Sequence, residues 1–312
     1  MKAWQFTGID EPLRLADLAD PLPGPDEIVV DVKAAGLCHS DVSFVDGTLT
    51  VLLGSVPIVL GHETAGIVSA IGSDVRAFAV GDRVGVPATT EGPGTAVDGG
   101  FAEKVRVKEQ LVVRLPDAVS FEQAAPATDA ARTAYRAVRT FGRVEEGMKV
   151  GIIGFGGLGS LGAQIARAFG AQVYVAEINE AVRPNIQDFG PAGMSADIRD
   201  FEDARLDVII DFAGFGTTTA SAIDAVRHGG RIVQIGMARE SATLSLQKII
   251  LKEITLVGAS NGEKAECEAV LDLIAQGRIS SRIVPITFDQ IPEYLDKLRD
   301  GQVDGRAVAV TP

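Results

Sequence analysis

A glycine run, Gly154-Phe155-Gly156-Gly157-Leu158-Gly159, constrains this chain more than any other feature. It follows the apolar segment Val150-Gly151-Ile152-Ile153 and opens the helix-period stretch Leu158 to Phe169. Spaced glycines alone say little, but between a strand and a helix they describe a phosphate cradle. Gly154 suits the tight turn, Gly156 lets the backbone approach a pyrophosphate, and Gly159 lets helix and strand pack closely. At Gly157 and Leu158 the helix start presents free N–H groups and the positive dipole end to an anion. The next strand, Gln172–Ala176, leads into Glu177 and Ile178, the expected adenosine side of the site. Glu177 stands eighteen positions after Gly159. An acid there accepts hydrogen bonds from the ribose hydroxyls and repels a 2′-phosphate, so NAD(H) is expected and NADP(H) disfavoured. Arg183, a few residues on, is the one feature that argues the other way.

The rest of the chain organises around this motif. Strand candidates Lys149–Gly154, Gln172–Ala176, Asp207–Phe212, Arg231–Ile235 and Ile254–Val257 alternate with helical stretches such as Thr217 to Arg227. Alternation of this kind predicts a doubly wound, mostly parallel sheet with helices on both faces. Before about residue 115 the pattern is different. Glu27–Lys33, Ala65–Ile71 and Gly81–Val86 alternate like half-buried strands, separated by Gly-, Pro- and Asp-rich breaks. That part is expected to be an all-β, barrel-like domain. Ser120 to Gln123 has the form of a helix cap with Gln at the capping-box position, preceding a helix through Arg139. After Asn261 a helix over Glu263–Gln276 and a few short strands follow. The expected division is therefore residues 1–130 plus 263–312 as a catalytic domain and 131–262 as the dinucleotide-binding domain.

Charge narrows the partners. With 42 acidic against 29 basic residues the formal net charge is −13, which repels phosphate backbones and anionic lipid. Nucleic acid and membrane surfaces are poor partners for such a chain. Two cysteines, Cys38 and Cys267, do not make a disulfide framework and fit a reducing compartment. Met1 to Gly8 lacks the basic segment and apolar core of a secretion signal, and no apolar run reaches the length that spans a bilayer. A cytoplasmic location is expected.

Cys38, in Gly36-Leu37-Cys38-His39-Ser40-Asp41, and His62, in Gly61-His62-Glu63, are of types that bind zinc well. Taken singly, a buried Cys or His is usually packing. The sequence as a whole resembles the zinc-containing alcohol dehydrogenase branch of the medium-chain dehydrogenase/reductase superfamily. The resemblance rests on GLCHSD (36–41), GHETAGIV (61–68), VGDRVGV (80–86), GGFAEKV (99–105), AAPATDAARTAY (124–135), GFGGLG (154–159) and HGGRIVQIG (228–236). It implies a GroES-like barrel domain beside a Rossmann domain, and a catalytic zinc held by Cys38, His62 and Asp129. The third position is Cys in many relatives, and the carboxylate here is an acceptable replacement. By the same resemblance Glu63 is a neighbour of the metal, and Ser40 relays the alcohol proton. His39 either contacts the pyrophosphate or receives that proton.

Two departures from the family pattern matter. Many relatives hold a second, structural zinc on four cysteines, but the corresponding stretch Pro87–Asp98 holds none, so one zinc per chain is expected. That lobe often supports subunit contacts in relatives, so its absence bears on assembly; a homodimer or homotetramer is the expected assembly. Val42-Ser43-Phe44 also occupies the place where many relatives carry a relay His. Thr48, Leu49 and Leu52 are candidates for the substrate entrance, between domains that are expected to form the cofactor cleft. His228 is expected in a surface turn and Cys267 in packing or at the surface. The implied reaction interconverts alcohols with aldehydes or ketones by hydride transfer to or from NAD(H). Competing readings are a zinc-free quinone or enoyl reductase of the same superfamily and a non-catalytic NAD-binding protein.

Overall fold

The computed structural model describes residues 1–311, and the chain separates into two compact units, Met1–Ala130 with Glu263–Pro312, and Ala131–Gly262. The first unit begins with β1 (Lys2–Phe6), β2 (Arg14–Asp17) and the long β3 (Glu27–Gly36). A short helix, α1 (His39–Val45), follows directly. Then come β4 (Ile58–Val59), β5 (Glu63–Ile71), β6 (Arg83–Val86), β7 (Lys104–Lys108), β8 (Val113–Arg114) and α2 (Phe121–Pro126). The barrel-like part is thus not purely β. Cys38 sits at the N-cap position of α1, a helix of only seven residues, too short to show a period in the sequence.

The second unit holds α3 (Arg132–Tyr135), β9 (Lys149–Ile153), α4 (Gly157–Ala168), β10 (Gln172–Ala176), α5 (Arg183–Phe189), β11 (Gly193–Ser195) and β12 (Leu206–Asp211). It continues with α6 (Thr217–Ala225), β13 (Val226–Gln234), α7 (Leu246–Leu251) and β14 (Thr255–Gly258). The chain then returns to the first unit with α8 (Lys264–Ala275), β15 (Ile283–Thr287), α9 (Ile291–Arg299) and β16 (Arg306–Val310). Among the described residues, no helix is long and apolar enough to cross a membrane.

In the second unit six strands pair in parallel in the order β11-β10-β9-β12-β13-β14. Strand order reverses between β9 and β12, which is where a doubly wound sheet binds its ligand, at the carboxyl ends of the strands. This is the Rossmann domain foreseen from the alternation. Its core joins Ile153, Ile198, Leu206, Ile209, Ile223 and Ile232. One boundary differs: Val226 and Arg227 belong to β13, not to the end of the preceding helix, because Val226 pairs with Leu206 of β12. His228, also in β13, is exposed.

In the first unit the sheet runs β15-β16-β3-β5-β6-β8, with β7 also on β3, and a three-stranded sheet β2-β1-β4 completes a GroES-like domain. Phe6, Ile28, Leu37, Ile58, Leu60 and Phe101 are fully buried in its core. Ser120 caps α2, its Oγ accepting from Gln123 N at 3.4 Å. The expected capping box is not completed, because the Gln123 amide is spent on Ser281, donating to its carbonyl and accepting from its N–H, both at 2.8 Å. The helix predicted through Arg139 is interrupted by wider π turns at Ala127–Ala131 and Arg136–Phe141.

Candidate metal and dinucleotide sites

Strand register brings the first site together. Gly36, near the end of β3, pairs with Glu63 at the start of β5. Cys38 lies two residues beyond that pair and His62 one residue before it, so the two side chains meet at one sheet end. A side chain at Gly36 would collide with the Glu63 carboxylate, which explains the glycine. Asp129 reaches the same point from the π turn after α2. Its Oδ2 lies 3.8 Å from Cys38 Sγ and 3.6 Å from His62 Nε2. Candidate ligand atoms of the three residues all lie within 4.8 Å of one another.

These separations can be tested against zinc. Bonds of about 2.0–2.3 Å at tetrahedral angles put neighbouring ligand atoms about 3.3–3.6 Å apart. The Asp129 oxygen is too far from His62 for a hydrogen bond, yet close to the spacing of two ligands of one ion. Cys38 and His62 are 7% and 6% exposed, so water does little for their charges. The donor set of thiolate, imidazole and carboxylate fits zinc.

Around the trio lies a second layer. Asp41, fully buried on the first turn of α1, accepts from Cys38 N at 3.0 Å through Oδ2, while its Oδ1 accepts from Gly61 N at 3.3 Å and lies 3.1 Å from His62 Nδ1. One carboxylate thus ties both ligand-bearing segments and fixes the His62 ring with Nε2 toward Asp129. Burial works to lower the His62 pKa, but the Asp41 charge, with the Asp129, Asp41 and Cys38 side chains adding to it, outweighs burial and holds the imidazole well above its ordinary value. The pocket favours positive charge.

Glu63 and Arg306 form a buried ion pair beneath this layer. Antiparallel pairing of Val308 with Gly36 carries Arg306 toward Cys38. Burial raises the Glu63 pKa and the Asp129 charge adds to that, against the opposing pull of Arg306. Ser40 Oγ lies 3.8 Å from Cys38 Sγ. His39 is exposed, but desolvation by surrounding protein, then the Arg306 charge, pull its pKa below the ordinary value. Neither Asp41 nor Arg306 stood out in the sequence. Asp41 three residues after a ligand is a first-turn carboxylate signal; Arg306 has no local signal at all.

Leu49 N donates to Ser43 O and Thr50 Oγ1 to Phe44 O, hanging the 48–53 loop from α1. Leu52 is half-exposed and Phe44 packs edge-on to His62. The short 87–98 stretch packs Gly94 against the Gly61–His62 backbone.

The second site lies within the Rossmann unit. Gly154 adopts φ +85° at the turn, and a side chain at Gly159 would collide with the Gly154 carbonyl. Nothing lies within 4 Å of where a Gly156 Cβ would project, so this is open space at the start of α4. Such a cradle fits a dinucleotide pyrophosphate. Glu177 Oε2 accepts from Phe155 N at 2.7 Å and its Oε1 from Asn179 N at 2.8 Å. The acid therefore braces the glycine turn, beside an exposed Ile178.

Comparison with known proteins places these two units. Residues 24–117 match the alcohol dehydrogenase GroES-like domain, and residues 157–276 match the zinc-binding dehydrogenase family. The chain belongs to the zinc-type alcohol dehydrogenase branch of the medium-chain dehydrogenase/reductase superfamily. An alcohol dehydrogenase of Geobacillus stearothermophilus is 27% identical, over 99% of each chain. The crystal structure of the alcohol dehydrogenase from Aeropyrum pernix superposes with a TM-score of 0.90 at 28% identity, over the whole of both chains. Acetophenone reductase from Geotrichum candidum, solved in complex with NAD, gives 0.89 at 27% identity over 99% of this chain and 97% of that one. This dehydrogenase is an alcohol/carbonyl oxidoreductase acting on small molecules.

Proposed function

We propose that the chain is a zinc- and NAD(H)-dependent alcohol dehydrogenase that interconverts alcohols with aldehydes or ketones. The observation that carries this reading is the meeting of Cys38 Sγ, His62 Nε2 and Asp129 Oδ2 at ligand spacing, from three separate stretches of chain. Residues 1–130 and 263–312 form the catalytic domain in this reading, and 131–262 the dinucleotide domain.

Cys38, His62 and Asp129 would hold one zinc per chain, and Gly154, Gly156, Gly157, Leu158 and Gly159 would cradle the cofactor pyrophosphate. When bound, zinc supplies Lewis-acid polarisation of the alcohol or carbonyl oxygen, and the nicotinamide accepts or delivers the hydride. The protein's own work is orientation and proton handling. Asp41 fixes the His62 ring, and Glu63, neutralised by Arg306, keeps a carboxylate beside the ligands. Ser40 would relay the alcohol proton, accepting it at Oγ as its own hydroxyl proton passes on toward the cofactor ribose or His39 in oxidation, with the reverse in reduction. His39 contacts the pyrophosphate or receives the relayed proton in this reading; desolvation, then the Arg306 charge, favour its neutral form. Glu177 and Ile178 favour NAD(H) over NADP(H) on the adenosine side. A homodimer or homotetramer belongs to this reading, supported by the edge strand β14 and the exposed Leu246, Ile250 and Leu251 of α7.

The deciding experiment combines metal content with a screen of primary alcohols, secondary alcohols and ketones, using NAD(H) and NADP(H), with and without a chelator. Near one zinc per chain and chelator-sensitive turnover with NAD(H) are expected. Full chelator-resistant turnover would turn the reading to a zinc-free reductase, and NADH binding without turnover to a non-catalytic protein.

A further inference from the structure

The helix that delivers Asp129 is irregular, and its irregularity has a traceable cause. Pro126 ends α2. Proline has no N–H to donate, and its ring displaces the carbonyl four residues earlier, so the regular ladder fails there. Directly after it, Ala127–Ala131 forms a π turn with Asp129 at its centre. Such a turn holds one residue more than an α turn and is marginal alone. Each residue of an α-helix turns the chain by about 100°. Relaxing the π turn to α geometry would therefore swing Asp129 well off its present direction.

Three donors engage carbonyls in and just before this turn, one from within it and two from elsewhere in the chain. Thr128 Oγ1 donates to Ala125 O at 2.7 Å, and Ala88 N donates to Thr128 O at 3.1 Å. Cys267, on α8 and 140 positions away in sequence, directs its thiol at Ala127 O at 3.6 Å. Thr128 and Cys267 are both fully buried. Ala88 follows β6, which pairs with β5, the strand that begins next to His62. The Thr128 methyl packs on Gly85 of the same β6, where a Cβ would come within 3.0 Å of it. The π turn is thus fastened both to the strand pair that carries His62 and to α8.

We propose that Thr128 and Cys267 are positioning residues that hold the π turn open and so aim the Asp129 carboxylate at Cys38 and His62. The proposal rests on the zinc reading above. Neither residue touches the metal; Thr128 acts through the Ala125 carbonyl and Cys267 through the Ala127 carbonyl, both on the chain leading into Asp129.

The test uses full-length protein loaded with zinc or with cobalt(II). Thr128→Val keeps shape and removes the donor; Cys267→Ala removes the thiol; Thr128→Ser and Cys267→Ser keep a donor. Readouts are zinc affinity by chelator competition, the cobalt ligand-field spectrum, and NADH affinity by fluorescence. Thr128→Val and Cys267→Ala are expected to weaken zinc binding about tenfold and shift the cobalt spectrum, with NADH affinity unchanged and both serine variants near wild type. If Thr128→Val does not fold, the cysteine pair decides on the same criteria. Folded Thr128→Val and Cys267→Ala proteins with wild-type zinc affinity and cobalt spectrum would overturn the proposal while leaving the zinc reading intact. A wild-type protein that takes up neither metal would overturn both.

Discussion

Asp41 offers the sharpest test of how the candidate metal site is built. Its carboxylate holds the Cys38 and Gly61 N–H groups and the His62 ring, and it has no contact with water. Asp41→Ala would orphan all three donors in a buried place. Each unsatisfied group costs about 1–3 kcal/mol, so the loss is on the order of 3 kcal/mol or more, a large share of a total of about 5–15 kcal/mol. Asp41→Asn is the informative variant. It keeps the volume and one accepting oxygen, but the new NH₂ group faces a donor, and the negative charge behind His62 is gone. Loss of a carboxylate behind a ligating histidine costs roughly 10- to 100-fold in metal affinity, or about 1.4–2.7 kcal/mol. Urea unfolding of the metal-free protein gives the first number and chelator competition the second. An Asp41→Asn protein that binds zinc as tightly as wild type would refute the inference that Asp41 orients His62 for a metal.

Three further outcomes follow from the same geometry. Gly156→Ala points its new methyl into open space, so stability should hold within about 0.5 kcal/mol while NADH affinity drops; Gly159→Ala collides with the Gly154 carbonyl and should lower the thermal midpoint. Arg306→Leu leaves Glu63 buried without its partner and should destabilise by about 3–5 kcal/mol, measured by urea unfolding; a near-neutral result would mean that Glu63 is already protonated. Metal-free protein should lose stability as pH rises. The His62 pKa is raised in the folded state, so its contribution is complete below the unfolded value of about 6.5 and disappears as pH climbs through the raised one. Zinc affinity should move the opposite way, because the ion displaces that proton; thermal midpoints with and without zinc across this range check both signs.

Legibility from sequence followed the range of the interactions. The Rossmann half was open to reading because its evidence is local: a glycine turn between an apolar strand and a helix, and strands spaced by helical periods. The candidate metal ligands were proposed from resemblance, since Cys38, His62 and Asp129 are scattered and meet only through the Gly36–Glu63 register and the helix after Ser120. Helix α1 escaped because seven residues among strands give no period, and Cys38 is not a usual cap residue. Arg306 lies 243 positions from Glu63 and is placed only by the pairing of β16 with β3. Pro126 announced a break in its helix but not that the break would widen into a π turn under Asp129.

The charges around the site bear on the same expectation of a cation. Asp41, Asp129 and Glu63 gather around the candidate ligands, and Arg306 pairs with Glu63. Deprotonation of Cys38, which ligation requires, would add a further negative charge there. Negative charge inside a protein is costly unless it is compensated, and a proton on His62 is one compensation, the direction in which its pKa is driven. A divalent ion at the meeting point of the three donors would meet the same demand from a single position, freeing His62 to be neutral. Raised His62 basicity and ligand-like spacing are therefore two expressions of one arrangement, and replacing Asp129 by Asn should diminish both: the metal-free protein should become less dependent on pH as its zinc affinity falls. An Asp129→Asn variant that lost zinc but kept the full pH dependence of stability would assign the His62 shift to Asp41 alone and break that link.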